Sequence, residues 1–152
     1  MTLIKWLGPA MFRTFLVFFV GGLLMTTAVI SLFLIGEIVW LDCFHDNPDL
    51  ACADALLLVL VSPLYGVTMG MVVNFLPLIT AAALAVLGRL VFRSLPLWYV
   101  MAILPACVLA YAAQGSWWLP HGEVRVLTER ILTFSAFQIP TLLICWWWDQ
   151  RT

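Results

Sequence analysis

Long apolar stretches alternate with short polar ones along the whole chain. The apolar runs are Thr14 to Ile35, Ala55 to Gly88, Leu95 to Ala113 and Ile131 to Trp148. A helix needs ~17–25 mostly apolar residues to cross a hydrocarbon core of ~30 Å, and three of the four runs have that length. The second is 34 residues long. As one straight helix it would measure about 50 Å at ~1.5 Å per residue. Ser62-Pro63 and Tyr65-Gly66 interrupt it, and proline removes a helical donor and crowds the preceding turn. The pattern therefore predicts a short outer helix over Ala55 to Val61, a break, and a span from Gly66 to Gly88.

The expected fold class is an all-α integral membrane protein. It would be a four-span transmembrane helical bundle with spans at 14–35, 66–88, 95–113 and 131–148, the second preceded by a short broken outer helix. Outer loops cover 36–54 and 114–130. No repeat or linker divides the chain, so residues 1–152 read as one polytopic membrane domain. Residues 3–13 read equally well as a helix on the inner surface or as an extension of the first span. The first run is longer than a signal-peptide core, and no small-residue cleavage site follows it, which makes it an anchor.

Charge sets the orientation. Lys5, Arg13, Arg89, Arg93 and Arg151 fall on one side, Arg125 and Arg130 on the other. The positive-inside rule puts the first group in the cytosol, N-in and C-in. Of the acidic residues, Glu37, Asp42, Asp46, Asp49, Asp54, Glu123 and Glu129 lie outside and Asp149 alone inside. Trp6, Trp40, Trp98, Trp117, Trp118 and Trp146 to Trp148 all fall near a span boundary, where amphipathic rings settle. The chain is 64% hydrophobic and 10% charged, with a mean hydropathy of +1.09. A soluble domain carries ~25% charged residues. Small size and the lack of sorting signals point to a bacterial cytoplasmic (inner) membrane.

Candidate chemistry is sparse. Cys43 and Cys52 bracket an Asn47-Pro48 turn on the exported side, which predicts a disulfide. A metal site on Cys43, His45, Asp46 and Cys52 fits no standard zinc spacing. Ser116, His121 and Glu123 are neighbours in sequence only, beside an interfacial Trp117-Trp118. Four spans with both ends inside and cysteines in an outer loop resemble, in outline, the membrane quinone-linked thiol oxidases. That family carries a C-x-x-C pair in one outer loop and a second pair in the other. Here eight residues separate Cys43 from Cys52, the second loop has no cysteine, and no residue role carries over.

Gly66-Val-Thr-Met-Gly70 is a G-x-x-x-G with Asn74 one turn further on. The three share a helix face suited to close packing, and Gln138 is a natural hydrogen-bond partner for Asn74 across helices. Gly66, Gly70, Asn74 and Gln138 thus form an expected helix-packing or partner face. Asp42, Asp46, Asp49 and Asp54 form an outer acidic loop that could meet a basic partner. No Asp, Glu, Lys, Arg or His falls inside the expected spans, and such residues usually mark ion paths.

The expected function is therefore non-catalytic protein–protein interaction, as an accessory subunit of a membrane complex or as an immunity protein against a membrane- or periplasm-acting toxin. A small transporter or channel subunit is the alternative, and a thiol-redox protein the remote one. The partners implied are the lipid bilayer and another membrane or periplasmic protein. Self-association stays open. Scattered basic residues exclude nucleic acid, and no cofactor or metal is implied.

Overall fold

The computed structural model describes residues 3–42, 48–92, 94–115 and 124–151, with side chains at 8–36, 60–92, 94–115 and 128–151. Four helices account for almost all of them: α1 (Leu3–Asp42), α2 (Pro48–Val91), α3 (Leu97–Gly115) and α4 (Val124–Arg151). Each is long and apolar enough to cross a membrane.

Of the two readings of residues 3–13, the structure has the extension of the first span: they belong to α1, which runs through Pro9 without interruption. One expectation needs correction. The break expected before the second span is absent, because α2 is a single helix of 44 residues that passes through Pro63 and Pro77. In lipid, an open turn cannot hydrogen-bond to water, so a helix persists across proline when neighbouring groups take up the freed backbone. At ~1.5 Å per residue α2 is about 66 Å long, more than twice the ~30 Å hydrocarbon core. One part of it must therefore stand outside the lipid.

The chain divides into two compact units. One comprises Met1–Gly22 with Val73–Thr152, the other Leu23–Val72. The larger unit is a bundle of parts of all four helices. Its core is built from Phe18 of α1, Ala81, Ala82 and Ala85 of α2, Val100, Ile103 and Cys107 of α3, and Phe134, Leu142 and Cys145 of α4. Ala82 and Ala85, Val100, Ile103 and Cys107, and Leu142 and Cys145 fall three or four apart along their helices, the stripe of a one-faced helix. Alanines on α2 and glycines on α1 let the helices approach closely. A Cβ at Gly21 would lie 3.1 Å from the Cys145 sulfur, and one at Gly22 only 2.6 Å from Leu78.

The turn from α2 into α3 is equally tight. A Cβ on Gly88 would collide with the Tyr99 ring and with Leu95. Pro96 precedes α3, and its carbonyl accepts the first helical bond, from Val100 at 3.2 Å. The Leu95 carbonyl accepts from Trp146 Nε1 at 2.9 Å and from Gln150 Nε2 at 3.0 Å, which ties this turn to α4.

The smaller unit is a helical hairpin made from the end of α1 and the start of α2. Gly66 and Gly70 form the contact on α2, against Leu23, Thr26, Thr27 and Ser31 of α1. Ser31 Oγ donates to the Ser62 carbonyl at 3.2 Å, beside Pro63.

Candidate functional site

The buried stripes of α1, α2 and α4 do not stop where the apolar residues stop. One turn beyond Phe18 lies Thr14, one turn beyond Ala85 lies Arg89, and one turn beyond Cys145 lies Asp149. Helical spacing aims all three at the same interior, and the larger unit closes on them as a charged layer. Arg89 Nη2 donates to Asp149 Oδ2 at 2.8 Å, with the aspartate side chain fully enclosed and the arginine side chain 12% exposed. Thr14 Oγ1 donates to the other carboxylate oxygen at 2.8 Å and accepts from Arg89 Nε at 3.3 Å. The Asp149 backbone carbonyl, near the C-terminal end of α4, accepts from Arg89 Nη2 and from Arg13 Nη2, each at 3.4 Å.

This is a complete arrangement for the aspartate, because both carboxylate oxygens carry a donor. For the cations it is lopsided. Among the described residues Arg13 reaches one carbonyl, and its Nε is enclosed with no hydrogen-bond partner. Among those residues the layer holds two guanidiniums against one carboxylate. Removing ions from water costs several kcal/mol each, and a buried pair recovers this only with good geometry and further hydrogen bonds. Here Thr14 supplies them. On the outer surface of α4, Arg151 lies over the Trp147 ring at 4.0 Å from its centroid.

A second polar group lies further along the same bundle. Pro77 interrupts the donor series of α2, and one residue earlier the Leu76 N–H donates to Gln114 Oε1 of α3 at 3.1 Å. The Pro77 carbonyl accepts from the Cys107 thiol at 3.7 Å. A proline-weakened stretch of α2 is in this way fastened to α3.

The sequence-derived residues separate accordingly. Gly66 and Gly70 sit inside the hairpin, where α1 fills the space beside them. Asn74 belongs to the larger unit, with its side-chain oxygen buried and unbonded. The bond expected between Asn74 and Gln138 is not formed, since the Asn74 side-chain oxygen has no hydrogen-bond partner. Cys43, His45 and Asp46 lie outside the described residues, as do Ser116, His121 and Glu123; Asp42, Asp49, Cys52 and Asp54 are helical, but their side chains also lie outside. The expected disulfide and the acidic loop therefore fall on that part of the chain. Cys107 and Cys145 are free thiols. Among the described residues no three metal-ligating side chains gather.

Sequence reasoning placed Arg89 and Asp149 as ordinary flanks of their spans and Gln114 as the first residue of a loop. A usable signal existed for each. Asp149 is the sole acidic residue on the basic side, and Thr14, Arg89 and Asp149 each extend a buried stripe by one turn. Compared with known proteins, the chain matches no family model, no curated protein and no solved structure. Its fold and site define a class, the small polytopic helical membrane protein, and nothing narrower.

Proposed function

We propose that this protein is a non-catalytic component of a membrane assembly, acting by contact with another membrane or periplasmic protein. An accessory subunit, or an immunity protein against a membrane- or periplasm-acting toxin, fits this reading. The observation that carries it is how the polar groups of the spans are used. Arg89, Asp149, Thr14, Gln114, Cys107 and Ser31 join helix to helix, while the outward faces present Leu16, Val20, Leu32, Phe33, Leu64, Leu109, Leu132 and Phe137. Such a surface suits lipid and apolar helices. The excess length of α2 carries Asp49 and Asp54 in its first turns, acidic residues suited to a basic partner.

The membrane is taken to be the bacterial inner membrane, with both termini cytosolic because the basic residues gather at that side. A Cys43–Cys52 bridge belongs to the same orientation, and a change in non-reducing electrophoretic mobility on Cys43→Ser would register it.

Purification from native membranes tests the main reading. One stoichiometric partner is expected, lost when Asp42, Asp46, Asp49 and Asp54 are reversed in charge. Recovery of the chain alone, with no partner in mild detergent, would refute it. A transporter or channel subunit is the second reading, favoured by the unbonded Asn74 oxygen. It requires solute flux in liposomes that falls on Asn74→Ala or Gln138→Ala.

A further inference from the structure

We propose that Arg13, beside the Arg89–Asp149 pair, seats a phosphate group, carried by a phospholipid headgroup or present as the free ion. This stands apart from the docking function above. Three observations lead to it.

The first is charge. Asp149 is the acidic side chain of this layer, and its two oxygens are already occupied by Arg89 and Thr14. Among the described residues Arg13 forms no ion pair, and there the layer sets two guanidiniums against one carboxylate. The second is hydrogen bonding. Arg13 donates to one backbone carbonyl at 3.4 Å, and its enclosed Nε–H has no acceptor. Leaving a buried donor of a charged group unpaired costs ~1–3 kcal/mol or more. A phosphate takes an Nε–H and an Nη–H together in fork geometry.

The third is depth. Arg13 lies near the N-terminal end of the first candidate span, Gly8–Gly36, where a long basic side chain can reach headgroup level by snorkelling. Basic niches between helix ends are where lipid phosphates bind. Here Arg13 of α1 shares the Asp149 carbonyl of α4 with Arg89 of α2, and the Asp149 carboxylate is held by its own partners. Arg89 adds its field without being available for displacement.

The test uses the purified full-length protein in neutral detergent, read by thermal unfolding and by native mass spectrometry. The probes are phosphatidylglycerol, phosphatidylcholine and inorganic phosphate. Wild type should bind phosphatidylglycerol in preference to phosphatidylcholine, and Arg13→Gln should weaken this about five- to tenfold, the contribution of one surface cation. Arg130→Gln, at the opposite end of α4, should leave it unchanged. Stabilisation by phosphatidylglycerol alone assigns the headgroup as source; stabilisation by inorganic phosphate alone assigns the free ion. Either supports the seat, provided Arg13→Gln removes it. Equal binding by wild type and Arg13→Gln, equal loss in Arg13→Gln and Arg130→Gln, or no stabilisation by any probe overturns it. If Arg13→Gln does not fold, Arg13→Lys decides. It keeps a point charge without the fork, so weakened binding supports the seat and unchanged binding overturns it.

Discussion

Arg89 and Asp149, 60 residues apart in sequence, meet at 2.8 Å with the aspartate side chain wholly withdrawn from the surface. The pair joins the end of α2 to the end of α4, and Thr14 bonds both partners from α1. One polar layer thus fastens three helices.

Breaking that layer from one side should be far worse than removing it. Asp149→Leu takes the Asp149 carboxylate from the Arg89 guanidinium, and breaking a buried pair from one side costs ~3–5 kcal/mol. The double variant Arg89→Met with Asp149→Leu should regain much of that stability. Unfolding in a denaturant series in detergent, on both single variants and the double, checks this. Additive losses would mean that the two residues act independently.

The two glycines of the G-x-x-x-G should respond very differently to alanine. A Cβ at Gly66 would lie 2.7 Å from Ser31 Oγ and 2.9 Å from the Thr27 carbonyl oxygen, and backbone cannot step aside as a side chain can. Gly66→Ala should cost ~1–3 kcal/mol as an overpacking change. At Gly70 the nearest atom would be the Thr26 methyl group at 3.4 Å, an ordinary contact. Gly70→Ala should stay within about 0.5 kcal/mol of wild type. Equal effects in a thermal unfolding comparison would contradict the packing described for the hairpin.

Gln114 supports a stretch of α2 weakened by Pro77. Gln114→Leu keeps the volume and removes the acceptor of the Leu76 N–H. The expected loss is ~0.6–2 kcal/mol, the range for hydrogen bonds between membrane helices. Hydrogen exchange should report it locally, as faster exchange at Leu76 with exchange in α4 nearly unchanged.

How much of this was legible in the sequence follows from what each signal depends on. The four helices were visible because length and hydropathy are local properties, and lipid imposes them on every span alike. The continuity of α2 was not, because Pro63 was judged by the rules for helices in water. There a broken turn is solvated; here Ser31 and a close-packed α1 accompany an unbroken helix. The charged layer escaped notice for another reason. Arg89 and Asp149 each sit one residue past an apolar run, where a charge normally reaches the headgroups. Only their positions on the buried stripes, compared across three helices, set them apart. The spacing of Gly66 and Gly70 marks a face of small residues, and the structure sets α1 side chains against it.

The central claim is that this chain crosses a membrane four times with the Arg89–Asp149 layer at the cytosolic face. Cysteine accessibility in intact bacterial cells tests it most directly. In a Cys43→Ser, Cys52→Ser background, a cysteine is placed at exposed Ser94, in the turn between α2 and α3, or at Ser116, after α3. A membrane-impermeant maleimide should label Ser116→Cys in intact cells and Ser94→Cys only after the cells are opened. Labelling of Ser94→Cys from outside, with Ser116→Cys protected, would contradict the account.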